Sequence, residues 1–135
     1  MNDRYLCRAK RKSDKKWIYG NLIQTDDGVY IIQNYVPQHL IGKYEVDSST
    51  ICQCTGLEDK NGKLIWENDI MVAHLDDSFQ EDTTYARVVW NNNGFCTKEQ
   101  GSEDISPLDK FDQEYFEVCG NIFDNPELLE VENDT

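Results

Sequence analysis

Cys52-Gln53-Cys54 is the first place in this chain where chemistry could be sought. On a strand, the period of two points both thiols to one face. Zinc takes four ligands, usually from paired short spacings. The other soft donors, His39, His74, Cys7, Cys96 and Cys119, are scattered along the sequence. Buried cysteine acting as a small hydrophobe is the better account, and no metal site is expected. A nucleophilic pair between His74 and a thiol has no local mark of activation. Glu67 and Asp69 offer two carboxylates at alternate positions, pointing the same way if they lie on a strand. That spacing suits general acid–base work. The plainer role is to cap backbone N–H groups at a turn and keep an edge soluble. No glycine-rich loop opens a helix, so phosphate loops and dinucleotide fingerprints are absent. The residues therefore predict no catalytic group, no metal and no cofactor.

Binding is better represented. Arg8, Lys10, Arg11 and Lys16 surround Trp17 and Tyr19, a mixture of bases and aromatics that suits single-stranded nucleic acid. A net charge of −13 opposes approach to phosphate. Nucleic acid is therefore an unfavoured partner, and a protein partner or a second copy is expected. The interaction surface expected from these patterns comprises Arg8, Lys10, Trp17, Tyr19, Glu67 and Asp69.

Charge is distributed unevenly. Residues 1–75 hold ten acids and ten bases, whereas residues 76–135 hold sixteen acids and three bases, Arg87, Lys98 and Lys110. Seven of the thirteen bases fall between Arg4 and Lys16. This polarity suits a basic segment that meets an acidic partner, or the acidic half of another copy. A solvated hairpin with lysines guarding its edge is the simpler alternative. An acidic half that imitates DNA would need regularly spaced carboxylates on a rigid face, and these acids lie mostly in expected loops.

The elements that must position these residues read as β. With 39% hydrophobic and 11% aromatic residues the chain is too apolar for disorder, and its length suits one domain. Five cysteines, odd in number and irregularly spaced, fit a reducing compartment. The N-terminus MNDRYLCRAKRK lacks an apolar stretch and no apolar run reaches 18 residues, so a cytoplasmic location without a membrane span is expected. Strands are predicted over 5–9, 17–23, 29–36, 84–90, 95–97 and 115–119. Turns fall at Asp26-Asp27-Gly28 and Asn91-Asn92-Asn93-Gly94. Within Ile51 to Ala73, Asn61-Gly62 predicts a two-residue hairpin turn and Glu67-Asn68-Asp69 a second break. Residues 76–82 and 98–113 read as long acidic loops, 38–43 as a shorter loop. The single helix signal is Asp124-Asn125-Pro126 leading into Glu127-Leu128-Leu129. Leu57, Ile65, Ile70, Val72, Val88, Trp90, Val118 and Ile122 are the predicted core.

Two longer motifs carry a family likeness. Residues 54–71, CTGLEDKNGKLIWENDIM, resemble the pattern YTGLKDKNGKEIYEGDIV of the YopX family, small proteins common in phages and prophages of bacteria. Residues 118–129, VCGNIFDNPELL, are similar to its closing phrase VIGNIYENPELL. Arg8-Ala9-Lys10 and Lys16-Trp17-Ile18-Tyr19-Gly20 look like its opening hairpin. Cys54, Asn68 and Cys119 stand where the family often has tyrosine, glycine and isoleucine. The resemblance implies an all-β fold, a small SH3-like barrel with extended N-terminal hairpins, long acidic loops and one short C-terminal helix. Residues 1–135 then form one domain, with a hairpin region over about 4–50, a barrel core over about 51–129 and a disordered tail over 130–135. The resemblance assigns no biochemical activity. The function expected is that of an accessory protein working by protein binding or self-assembly, without catalysis. An acidic inhibitor of a host DNA-binding enzyme and a nucleic-acid-binding small barrel are the alternatives.

Overall fold

The structure is a computed structural model that describes residues 5–32, 43–74 and 83–130. Eleven strands are described: β1 (Cys7–Lys10), β2 (Trp17–Thr25), β3 (Gly28–Ile32), β4 (Lys43–Glu45), β5 (Cys52–Glu58), β6 (Leu64–Trp66), β7 (Asp69–His74), β8 (Thr83–Asn91), β9 (Gly94–Glu99), β10 (Ile105–Pro107) and β11 (Glu117–Asn121). One α-helix, α1 (Lys110–Tyr115), and short 3-10 turns at Ser48–Thr50 and Pro126–Leu129 complete the described elements. The mainly-β expectation holds. The strands form two antiparallel sheets, ordered β4-β3-β2-β1-β5-β6 and β10-β9-β8-β7-β11, and no closed barrel arises among the described residues.

The chain divides into two compact units, Met1–Gly56 and Leu57–Thr135. In the first, Ala9, Ile18, Ile31 and Val46 make a small buried core, with Val29, Tyr44 and Ile51 packed on it. The β2–β3 connection is the expected tight turn: Thr25 pairs with Gly28 across Asp26-Asp27. Gly20 is glycine for a steric reason, since any side chain there would run into the Ile32 carbonyl oxygen.

In the second unit the core is Ile65, Met71, Ala73, Ala86, Val88 and Phe116. Four expectations for this unit change, and one for the first unit. Trp90 is 55% exposed, because it ends β8 beside the turn to β9 and packs only edge-on against Phe95, at a centroid distance of 4.9 Å. The other seven predicted core residues are buried or half-buried. The β5–β6 turn is not a two-residue turn. The Asp59 N–H bonds to the Lys63 carbonyl and the Gly62 N–H to the Asp59 carbonyl. Only Gly62 in this turn has positive φ, at 82°, which makes a three-residue connection with a glycine bulge. Residues 98–113 are not one loop but the end of β9, strand β10 and the start of α1. The α-helix lies there, whereas Pro126–Leu129 is a 3-10 turn whose Asn125 side chain makes no cap bond. That amide oxygen instead accepts the Asn121 N–H at 3.2 Å. Lys43 belongs to β4 rather than to a loop. The predicted strand over 33–36, most of the predicted loops 38–43 and 76–82, and the tail beyond Glu130 lie outside the described residues.

Candidate functional surfaces

The N-terminal hairpin brings four of the six expected surface residues together. Arg8 lies opposite Tyr19 and Lys10 opposite Trp17, so all four share the face turned away from Ala9 and Ile18. The Arg8 guanidinium carbon sits 4.7 Å from the Trp17 ring centroid and the Lys10 Nζ 5.5 Å from it. Stacking of this kind holds cations against the indole rather than presenting them to a partner. Arg8 is only 6% exposed. Arg11 is paired with Asp14 and lies over Tyr44 at 5.2 Å. That Arg11 hydrogen bond holds the Asp14 carboxyl well below the usual carboxylate range. Lys12 reaches Glu45 at 3.8 Å. Several bases of this segment are thus engaged locally. Lys12, Lys15 and Lys16 are exposed at the hairpin tip.

Glu67 and Asp69 belong to the second unit, and they do not share a strand face. Asn68 between them has φ 71°, so the three residues form a turn. Asp69 is fully buried and accepts the Trp66 N–H at 2.7 Å, while Glu67 is half-buried. Asp69 is a turn-building residue, as the plainer sequence reading has it. Cys52 and Cys54 do share one face, both completely buried with Gln53 exposed between them. The Cys52 thiol donates to the Thr50 carbonyl at 3.3 Å. Cys119 sits at a register shift in β11 and donates to the Ile70 carbonyl at 3.4 Å. Burial pushes its thiol pKa up, which keeps it protonated. Among the described residues no three His, Cys, Asp or Glu side chains are placed to hold a metal ion.

The sequence reading missed a cleft among the described residues. A cavity of about 440 Å³ lies in the second unit among β9, β10 and α1. Glu99, Asp104, Asp109 and Asp112 line it, with the hydroxyls of Thr97, Ser102 and Ser106. Asp109 starts α1: its carboxylate accepts the Asp112 N–H at 3.2 Å, and Asp112 accepts the Asp109 N–H at 3.0 Å. This reciprocal cap fixes both carboxylates at the cleft wall. Beside them Phe111 and Tyr115, both about half exposed, pack together at 4.6 Å, and Ile105 on the edge strand β10 is also exposed. The signal was present in the sequence, as Asp109 and Asp112 at cap spacing just after Pro107.

Asp112 is 8% exposed, and burial pushes its pKa up, aided by the charges of Asp109 and Glu99. A carboxyl whose folded pKa is raised contributes stability below its unfolded pKa and loses it as pH rises through the folded pKa. Asp112→Asn keeps an acceptor oxygen and removes the titration. We expect the melting temperature of the variant relative to the native chain to rise between about pH 3 and pH 6. A difference that stays flat across that range counts against burial of an ionisable Asp112.

No helix among the described residues is long and apolar enough to cross a membrane. The chain is similar to the solved protein EF1440 from Enterococcus faecalis, with 26% identity and a TM-score of 0.59. That likeness covers 92% of this chain and 96% of the other. No curated protein matches. The family model described as YopX protein matches residues 6–130, nearly the whole length and both motifs. The chain belongs to the YopX family.

Proposed function

We propose that this protein is a phage- or prophage-type accessory protein of the cytoplasm that works without catalysis, by binding protein. The observation that carries the reading is the acid-lined cleft with its exposed apolar rim. Four carboxylates beside Phe111, Tyr115 and the edge strand β10 suit a basic, partly apolar segment. Charge across such a contact sets register and association rate more than affinity. A non-catalytic reading is supported by how the buried acids are used. Buried Asp59, Asp69 and Asp112 each accept backbone N–H groups, as does exposed Asp109, which is structural work.

The occupant at hand is the hairpin tip of a second copy, where Lys12, Lys15 and Lys16 stand exposed. Charge complementarity selects it: the segment around the tip holds most of the bases, and the cleft lies in the acid-rich part. Light scattering after gel filtration tests the contact. An oligomer at low salt that dissociates as salt rises is expected, because exposed charge pairs are screened beyond about 8–10 Å at ordinary ionic strength. Lys15→Glu with Lys16→Glu lowers the assembled fraction, and adding Asp104→Lys restores part of it. A strict monomer at high concentration and low salt overturns the self-association. An oligomer indifferent to salt and to these charges places the contact on an apolar strand edge instead.

A further inference from the structure

A second, smaller cavity lies beside Arg87 and Lys98, with a volume of about 250 Å³. Residues 76–135 hold only three bases among sixteen acids. Two of those three stand directly opposite each other: Arg87 on β8 pairs with Lys98 on β9 and so shares its face. Like charges directly opposite in a sheet repel.

The two cations are incompletely neutralised by their surroundings. Arg87 Nη2 donates to Asn68 Oδ1 at 3.1 Å. Its Nε–H is buried and has no hydrogen-bond partner among the described residues. A buried guanidinium donor left unmade is costly, and a two-oxygen acceptor is what the guanidinium fork matches best. Lys98 Nζ lies 3.6 Å from Glu103, but that carboxylate is 98% exposed, so it is weakly held and leaves readily. Ser102 also lines the cavity. Its Oγ accepts the Asp104 N–H and keeps its own proton to donate. Glu99 lines the cavity too and works against an anion.

We propose that this cavity is an oxyanion site, taking a phosphate or carboxylate group of a small molecule between Arg87 and Lys98. The bound oxygens accept from the Arg87 guanidinium and the Lys98 ammonium and neutralise the facing pair, while Glu103 swings into solvent. The chain's overall negative charge is screened beyond about 8–10 Å at ordinary salt, so only the nearby acids oppose entry. The site adjoins the protein-binding cleft, sharing Glu99 and Ser102 with it, but its argument does not rest on that reading.

The test is a titration of the isotopically labelled full chain at constant ionic strength, with inorganic phosphate in one arm and succinate in the other. The Arg87 Nε–H resonance is expected to shift and saturate in at least one arm. Saturation with phosphate alone assigns the phosphate group, and with succinate alone the carboxylate. In Lys98→Met the saturable shift is lost. Without either anion that variant melts higher than the native chain, because the facing charge is gone. Absence of saturation in both arms overturns the site, as does a Lys98→Met chain that binds as the native one does. A Lys98→Met chain that melts no higher overturns the repulsion on which the site rests.

Discussion

Ile70→Ala and Met71→Ala are each expected to destabilise the protein by about 2–5 kcal/mol, although the two side chains point in opposite directions. Both are completely buried. Met71 faces the cluster of Ile65, Ala73, Ala86, Val88 and Phe116. Ile70 lies on the other face, opposite Arg87 of β8. The strand β7 has β8 on one side and β11 on the other, and Ile70, Met71, Val72 and Ala73 are all buried. A strand covered on both faces has no tolerant side, so removing methylenes leaves a cavity whichever residue is cut. Trp90→Ala is the contrast. Its ring is half exposed and meets Phe95 edge-on, so the loss should be about 1 kcal/mol despite the larger deletion. Urea denaturation of the three variants checks the ordering. If Met71→Ala and Ile70→Ala differ widely, with one near zero, β7 is not covered on both faces.

That strand also shows what was legible in the sequence. A continuous apolar run, Ile70 to Ala73, marks a strand buried on both faces, and the run is visible without coordinates. The thiol pair Cys52 and Cys54 and the bases and aromatics of the first hairpin fell on single faces because the period of two is a local property. What stayed hidden was decided by context. Trp90 alternates in phase with Val88, yet it lies at the strand end where no neighbouring element covers it. Lys98 to Gln113 looked like a loop because its acids outweigh its apolar residues. The helix there rests on a reciprocal cap between two aspartates, with Phe116 buried just beyond its end. Glu67 and Asp69 would share a face only as alternate strand positions, and one residue with positive φ between them makes the turn that the plainer reading of the sequence expects. The acidic cleft is a tertiary feature. Its carboxylates come from residues thirteen positions apart, Glu99 to Asp112, brought together only when β10 folds back on β9.

Asp59→Ala is expected to cost about 3–5 kcal/mol, comparable to a core truncation, at a residue that composition alone would place on the surface. Its carboxylate is 6% exposed. Oδ1 accepts the N–H groups of Asn61 and Lys63, both at 2.9 Å. Oδ2 accepts the Val118 N–H at 2.8 Å, at the start of β11. One side chain therefore builds the turn between β5 and β6 and ties it to a strand fifty-nine residues away. The Lys60 N–H to the Phe116 carbonyl and the Asn61 amide to Glu117 reinforce the same junction. Bonds to a charged acceptor contribute about 1.5–3 kcal/mol each, and leaving their donors buried and unmade is what alanine would impose. Some of that loss is recovered as the turn relaxes and admits water, which sets the total below three full bonds. Asp59→Asn separates the two jobs. Its amide oxygen can still serve Asn61 and Lys63, but its NH₂ then faces the Val118 N–H, donor against donor. A smaller loss, about 2–3 kcal/mol, is expected, with faster hydrogen exchange concentrated at Val118. If Asp59→Ala shifts stability by no more than about half a kcal/mol, the carboxylate is solvated and β11 is held by its ladder to β7 alone.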